Sequence, residues 1–351
     1  MSEIAIHSSF GDYTVVVAQG SADAAADAAV TLADPVVADR LPPVRAVVTI
    51  AGAESSKTLA GCEQTLVAMN RAGLRRGDVV AAVGGGVVQD VATLACSLYM
   101  RGVDWVYVPT TLMAMMDSCI GGKSSINVGG VKNLVGNFYP PRRILVDPVF
   151  IESLPQRARV SGLAEAVKIC FARGPEAFER FLASPAALAP ADDGATAELI
   201  AHVLESKKWF VEIDEFDKAE RQLLNFGHSF GHAFEAACGF RVQHGIGVAI
   251  GMLAALRHPA SRADELTERL SEYARVILAT VAEDVATSAA ATDWAVFRRA
   301  LAADKKNAAD RLRLVLPTSE LSLTVVSLPL DDDQLSIAEL SLRSALEDLA
   351  A

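Results

Sequence analysis

The first half of the chain switches repeatedly between two hydrophobic periods. Segments 13–17, 46–50, 78–83, 104–108 and 143–147 are short runs of β-branched and apolar residues, the composition of strands. The third runs into Gly84-Gly85-Gly86, and the fourth stops at Pro109. Between them, segments 56–72 and 88–100 carry apolar positions at helical spacing. Strands alternating with helices predict a mostly parallel sheet with helices on its faces. After Pro155 the chain becomes rich in Ala, Leu and Glu. Helices are predicted over 159–188, 196–212, 229–238, 246–257, 264–280 and 294–303, with a loop at 189–195. A strand pair at 311–316 and 321–326 precedes a final helix from Ile337. The pattern gives an α/β domain over residues 1–155 and a mainly α-helical domain over 156–351.

Length agrees with that division, since 351 residues exceed the roughly 150 expected of one domain. With 51% hydrophobic and 21% charged residues, the chain can bury a core and is not of disordered composition. Lys and Arg total 32 against 43 Asp and Glu, a formal charge of −11. That field disfavours nucleic acid and anionic membranes as partners. It suits an anionic small molecule only if basic residues gather in one place. The first nine residues lack a basic segment followed by an apolar run, and the longest apolar stretch, 245–256, ends at Arg257 and His258. No targeting or membrane-spanning segment is predicted. Cys62, Cys96, Cys119, Cys170 and Cys238 are scattered, with no Cys-x-x-Cys pair, and read as reduced, buried thiols of a cytoplasmic protein.

Several segments carry candidate chemistry. Gly84-Gly85-Gly86 joins a strand to a helix, where backbone N–H groups can meet a pyrophosphate; a plain tight turn would look the same. His228 and His232 lie one helical turn apart, and His244 follows twelve residues later. That spacing suits a metal, or one metal ligand and one phosphate donor, or else capping and core histidines. Ser229 stands where a zinc protease would have its general-base Glu. Glu165 and Lys168 form an i,i+3 pair. Asp117 to Lys123 and Gly130-Val-Lys132-Asn133 form a polar, Gly-rich stretch whose ammonium, amide and backbone donors suit phosphate. Arg101, Lys207, Arg221 and Asp304-Lys305-Lys306-Asn307 add further basic positions.

Taken in order, these segments resemble 3-dehydroquinate synthase and the wider sugar-phosphate cyclase family. The resemblance rests on Gly84-Gly-Gly-Val-Val-Gln-Asp90, Tyr99-Met-Arg-Gly102, Val108-Pro-Thr-Thr111, Asp117-Ser-Cys-Ile-Gly-Gly-Lys123, Lys132-Asn133 and Arg221-Gln-Leu-Leu-Asn-Phe-Gly-His-Ser-Phe-Gly-His232. It implies a Rossmann-like α/β domain, a mainly helical second domain, NAD, and a divalent metal, zinc or cobalt. Glu165, His228 and His244 match the family's metal ligands. Lys123, Asn133, Asn225 and His232 match its phosphate grip, joined by Lys305, Lys306 and by Arg101 from the partner copy of a homodimer. Lys207 and Arg221 match the clamp on a substrate carboxylate, and Asp117, Lys132 and Lys168 the groups around the reacting hydroxyls, with His232 among the catalytic set. Asp34, Glu54, Lys57, Gly85, Gly86, Asp90, Thr110 and Thr111 match the NAD site. The implied reaction closes a seven-carbon keto-acid phosphate into a carbocycle with loss of phosphate and no net redox.

Relatives that take sedoheptulose 7-phosphate or glucose 6-phosphate have substrates without a carboxylate. In the sedoheptulose group the Arg and second His of the 221–232 stretch are replaced. Here Arg221, Asn225 and His232 are all present, so the resemblance implies the dehydroquinate type or its amino analogue. Three departures point the other way, to a divergent member of secondary metabolism. The usual His-Gly-Glu reads His244-Gly245-Ile246, so a carboxylate beside the metal is expected to be missing. Asp34-Pro35-Val36 lacks a usual Asn at its last position, and Val128-Gly-Gly-Val131 differs from the usual loop. A metal-dependent alcohol dehydrogenase is the nearest rival, because its fold is related.

Overall fold

The computed structural model describes residues 1–40, 43–129, 131–308, 310–319 and 322–350. The chain forms two compact units, Met1–Leu154 with Ala189–Glu215, and Pro155–Leu188 with Phe216–Ala351.

The first unit contains β1 (Ser2–Ile6), β2 (Tyr13–Val17), β3 (Val30–Ala33), α1 (Pro35–Ala38), β4 (Val47–Thr49), α2 (Leu59–Arg71), β5 (Val79–Gly84), α3 (Gly86–Leu98), β6 (Asp104–Pro109), β7 (Ile126–Val128), β8 (Val131–Val135) and β9 (Arg143–Val146). Seven of the strands form one sheet in the order β1-β2-β9-β6-β5-β3-β4. Every pair in it is parallel except β1–β2. Val80, Ala81, Ala82 and Val83 of β5 are fully buried, as expected of a central parallel strand covered on both faces. From β3 the chain steps outward to β4, then returns to place β5 on the other side of β3. The strand order therefore reverses between β3 and β5, and ligands of such sheets bind beyond the strand ends at that reversal.

The chain then leaves this unit for α4 (Gln156–Arg173) and α5 (Pro175–Leu182), and returns to it for α6 (Gly194–Ile213). A single helix over 159–188 is not formed. Gly174 has φ 124° and Pro175 opens α5, where its missing N–H breaks the ladder without leaving an unpaired donor. The sequence reading sends every helix after 155 to the second domain, whereas α6 packs on β1 and β2. Its end is tied to the N-terminal segment: His7 N donates to Glu212 Oε1 at 2.9 Å and Ser8 Oγ to Glu215 Oε1 at 2.5 Å.

The second unit continues with α7 (His228–Ala237), α8 (His244–Arg257), α9 (Glu265–Ala279), α10 (Ala282–Ala290), α11 (Trp294–Ala302), the antiparallel pair β10 (Arg311–Ser319) and β11 (Ser322–Pro329), and α12 (Asp332–Ala350). The predicted second strand of that pair included Leu321, which lies outside the described residues. In α8 every residue from Gly245 to Ala255 is buried, the mark of a central helix; α4, α7, α9 and α12 pack around it. Among the described residues no helix is long and apolar enough to cross a membrane. All five cysteines are free and buried.

Candidate active site

In the second unit, small residues decide how closely three helices approach. A Cβ on Gly251 of α8 would lie 2.1 Å from Gly227 O, just before α7, and one on Gly245 would lie 2.0 Å from Ser161 O of α4. Side chains at either position would push the backbones apart. Gly245 N also donates to Ser161 Oγ at 2.9 Å. This contact brings the first residue of α8, His244, and the first residue of α7, His228, over the middle of α4, where Glu165 is fully buried.

The three predicted metal ligands converge. Glu165 Oε1 stands 3.7 Å from His228 Nε2 and 3.5 Å from His244 Nε2. Each imidazole uses its other nitrogen elsewhere: His228 Nδ1 lies 3.2 Å from Phe226 O and His244 Nδ1 2.8 Å from Glu235 Oε1. Those acceptors place the proton of the neutral ring on Nδ1 and turn the Nε2 lone pair toward Glu165. Glu165 Oε2 accepts from Lys168 Nζ, while Oε1 has no hydrogen-bond partner among the described residues. A buried carboxylate oxygen facing two nitrogen lone pairs is strongly unfavourable. A divalent cation held by these atoms would relieve it, and the donor set of one carboxylate and two imidazoles suits zinc chemistry. The residues therefore fit a metal. His232 completes a cluster in which the three histidines offer atoms within 4.8 Å of one another, but it is exposed where Glu165 is buried.

Charge around the cluster is asymmetric. Burial holds His228 well below the ordinary imidazole range, helped by the positive charges of Lys168, His232, His244 and Lys306. Burial also pushes His244 down, but the hydrogen bond and charge of Glu235, with Glu165, outweigh it and raise the group above its ordinary value. Lys306 is lowered, mainly by burial. Its Nζ has no hydrogen bond among the described residues and stands 3.5 Å from Asp304 Oδ2. Lys305 beside it is exposed. Arg221 is buried, and Asn225 Nδ2 donates to Gln222 O at 3.0 Å.

Glu235 escaped the sequence reading and corrects it. The carboxylate expected to be lost with Ile246 is present from another helix, while Ile246 itself is packed in the core, 1% exposed. The spacing held a usable signal, because Glu235 follows His228 by seven residues and His232 by three, on the same helical face.

In the first unit, the candidate cofactor residues collect at the carboxyl ends of β3, β5 and β6. Asp34 follows β3 and caps α1, accepting from Val36 N at 3.0 Å. Gly85 precedes α3 and provides no side-chain cap. A Cβ on Gly86 would meet only Ser118 Oγ, at 3.9 Å. Space in front of free helix N–H groups at the strand reversal fits a dinucleotide pyrophosphate. Thr110, buried after β6, donates its N–H to Gly84 O at 3.0 Å, and Thr111 Oγ1 accepts from Ala114 N at 3.3 Å. Lys57, also buried, pairs with Asp90 Oδ2 at 2.8 Å and donates to Asn133 Oδ1 at 3.1 Å, with Glu54 Oε1 at 3.7 Å.

The remaining candidates of this unit fall in three places. Asp117 sits on a π-helical turn, 114–118, and its Oδ1 pairs with Lys207 Nζ at 2.6 Å. Lys207 also donates to Ile120 O at 3.3 Å, so it is held among first-unit groups, whereas Arg221 belongs to the second unit. Lys123 bridges to Phe138. Lys132 and Asn133 ride on β8, whose residues are all exposed; Gly130 of that stretch lies outside the described residues. Arg101 is exposed and follows Met100 through two successive left-handed residues, φ 48° and 69°.

The fold and cluster define the class first: a parallel-sheet unit with an open helix N-terminus at its strand reversal, and a helical unit with a carboxylate–imidazole site, the architecture of a dehydroquinate synthase-like enzyme. The 3-dehydroquinate synthase N-terminal model matches residues 47–161 and the C-terminal model residues 162–307. The chain belongs to the 3-dehydroquinate synthase family and is accordingly an enzyme, of carbon–oxygen lyase type. The 3-dehydroquinate synthase of Xanthomonas axonopodis pv. citri (strain 306) is 40% identical over 273 residues, 76% of this chain and 73% of that protein. A 2-epi-5-epi-valiolone synthase from Streptomyces hygroscopicus subsp. jinggangensis 5008, solved with NAD⁺ and Zn²⁺, is 25% identical with a TM-score of 0.79, covering 96% of each chain. A 2-deoxy-scyllo-inosose synthase, solved with carbaglucose-6-phosphate, NAD⁺ and Co²⁺, shares the fold at 20% identity and a TM-score of 0.81, covering 98% of this chain and 99% of that one.

Proposed function

We propose that this chain is an NAD- and metal-dependent sugar-phosphate cyclase of the 3-dehydroquinate synthase type. Its substrate is a 2-keto-3-deoxy-heptulosonate 7-phosphate, and its product a carbocycle formed with elimination of phosphate. The observation that carries the reading is the convergence of Glu165 Oε1, His228 Nε2 and His244 Nε2 in a chain 40% identical to a 3-dehydroquinate synthase. When bound, NAD⁺ supplies reversible hydride transfer, and zinc or cobalt polarises the oxygen of the carbon being oxidised. Both cofactors support the reading by their presence in the related cyclases.

The chain's own groups then bind and orient. Asp34, Glu54, Lys57, Gly85, Gly86, Asp90, Thr110 and Thr111 hold the dinucleotide. Lys123, Asn133, Asn225, His232, Lys305 and Lys306 hold the phosphate, with Arg101 reaching it from the other copy of a homodimer. Lys306, whose buried ammonium has no hydrogen bond among the described residues and stands 3.5 Å from Asp304, can accept an anion as a further partner. Arg221 matches the planar substrate carboxylate, and Lys207 of the first unit is the second cation for that carboxylate. Asp117, Lys132 and Lys168 orient the reacting hydroxyls; a site that mainly positions and stabilises charge needs such density of donors. Five free buried thiols accord with a cytoplasmic setting. The biosynthetic role is the shikimate route to aromatic amino acids.

A second reading, a secondary-metabolite cyclase acting on the amino analogue or on sedoheptulose 7-phosphate, is supported by the fold of the valiolone synthase. Assays with 3-deoxy-arabino-heptulosonate 7-phosphate, its imino analogue and sedoheptulose 7-phosphate separate the readings. Phosphate release from the first at constant NADH absorbance is the expected result. Turnover of sedoheptulose 7-phosphate alone would overturn the carboxylate assignment, and accumulation of NADH would indicate a dehydrogenase.

A further inference from the structure

The hairpin formed by β7 and β8 is a two-stranded sheet of its own, with Ile126 of β7 buried and every residue of β8 exposed. Ile126, paired with Val135, anchors one end of the hairpin by burial, whereas Lys132 and Asn133 are themselves exposed. Hydrogen bonds tie Asn133 to the 54–57 segment. Asn127 N donates to Lys57 O at 2.8 Å, and Asn127 forms an isolated parallel bridge with Thr58. The Asn127 side chain works in two directions. Its Nδ2 donates to Glu54 Oε1 at 2.8 Å, and its Oδ1 accepts from Asn133 N at 2.8 Å. Asn133 is held a second time through its own side chain, since Lys57 Nζ donates to Asn133 Oδ1 at 3.1 Å.

Asn133 is thus gripped at its backbone N–H and its side-chain oxygen by two residues that both connect to the 54–57 segment. It also sits in the left-handed region, φ 54°, which asparagine adopts more readily than most residues because its short polar side chain can hydrogen-bond locally. Only an amide serves at 127, because it donates toward a carboxylate while accepting from an N–H. An aspartate would keep the acceptor but face Glu54 with a like charge.

We propose that Asn127 is a positioning residue that couples the cofactor side of this unit, Glu54 and Lys57, to its phosphate side, Asn133. The inference rests on the functional reading above, which places NAD at the first pair and the sugar phosphate at Asn133. Any shift of Glu54 or Lys57 on NAD⁺ binding is passed through Asn127 to the Asn133 backbone, and the reverse follows by linkage. NAD⁺ and the sugar phosphate then bind with positive coupling that depends on this one amide.

The test measures Kd for a carbocyclic phosphonate analogue of the sugar phosphate by calorimetry, on metal-loaded protein, with and without saturating NAD⁺. Wild type is expected to bind the phosphonate about tenfold more tightly with NAD⁺, within the usual range of site-to-site coupling. Asn127→Asp, which is isosteric and so keeps the fold even where Asn127→Ala does not, should bring that factor to within about twofold of one. NAD⁺ affinity measured alone should change less than the coupling does. In turnover, Asn127→Asp should raise KM for the sugar phosphate more than it lowers kcat. Equal coupling in Asn127→Asp and wild type overturns the inference while leaving the cyclase reading intact, as does independent binding of the two ligands to wild type. Wild type that binds neither ligand overturns the functional reading itself, and this inference with it.

Discussion

The two units hold their candidate charges in opposite ways. In the first, cations and anions are already matched: Lys57 with Asp90, and Lys207 with Asp117. In the second, Lys168 pairs with Glu165 and Glu235 with His244, but two buried groups remain incompletely matched. Glu165 Oε1 meets two imidazole nitrogens without a proton donor, and the Lys306 ammonium has no hydrogen bond among the described residues. A matched pair tolerates the loss of its ligand and the modest adjustment of its neighbours. A gathering of lone pairs is stable only through what it binds. The sheet unit therefore reads as a preformed binding surface, and the helical unit as the place where binding supplies the missing charge. The difference follows from architecture. Parallel strands end side by side and present backbone donors there, whereas helices converge to a point only where glycines such as Gly245 and Gly251 let them touch.

The sharpest way to break this contrast is at the helical cluster. Glu165→Gln should remove the anionic donor, lower turnover at least about 10³-fold, corresponding to about 4 kcal/mol, and leave the purified protein with a small fraction of the wild-type metal content by elemental analysis. Chelator treatment of wild type should abolish turnover, and added Zn²⁺ or Co²⁺ should restore it. Full metal content in Glu165→Gln would remove Glu165 from the ligand set. The next effect is substrate-dependent. Arg221→Ala should reduce kcat/KM for a carboxylate-bearing substrate about 10²-fold or more, since a charged hydrogen-bonded pair is worth about 2–5 kcal/mol, and should hardly affect any turnover of sedoheptulose 7-phosphate. Equal losses on both would place Arg221 outside carboxylate recognition.

Glu235 gives a smaller and more selective effect. Glu235→Gln keeps an acceptor for His244 Nδ1 but loses the charge, and metal affinity should fall about 10–100-fold with the fold retained. Unchanged metal affinity would reduce Glu235 to a packing residue. The same residue shows where sequence reading stopped. β5 and β6 were legible because central parallel strands are continuous apolar runs; the placing of His228 and His232 on one helix face followed from their spacing, whereas their grouping with Glu165 and His244 followed only from the family resemblance. Glu235 lies on the face of His228 and His232, but its partner His244 begins a different helix, and that contact is a tertiary fact no local spacing carries. β3, Val30–Ala33, was missed because four residues between alanine-rich stretches carry too little pattern. The β7–β8 hairpin was missed because its strands are three and five residues long, too short for a periodic pattern, and only pairing defines them. The return of α6 to the sheet was illegible for another reason: an apolar helix face fits any apolar partner, and contact with β1 and β2 is a tertiary fact.

The mildest prediction concerns the matched side of the contrast. Asp90 is partly buried, and its carboxyl is raised to about 6, chiefly by burial, with the Glu54 charge adding to that; Lys57 and the Ser125 N–H oppose it without prevailing. The folded state therefore holds this proton more tightly than the unfolded chain, where the value is near 3.8. The sign is the reverse of the usual ion-paired carboxylate. The stabilisation that Asp90 contributes by holding its proton is fully present below about pH 4 and is lost as pH rises through about 6. Asn at this position mimics the protonated form and does not titrate. Urea unfolding across pH 4–8 should then show Asp90→Asn gaining on wild type as pH rises through that window, by an amount on the order of 1–3 kcal/mol, and running parallel above it. Above pH 6 the ionised carboxylate holds Lys57, so NAD⁺ affinity of wild type should change severalfold between pH 5 and 7, and that step should be absent in Asp90→Asn. Parallel stability curves and an identical NAD⁺ profile for the two proteins would show that the Lys57–Asp90 pair is not titrating in this range, and that the first unit's matched charges are set once, at folding, and not adjusted by pH.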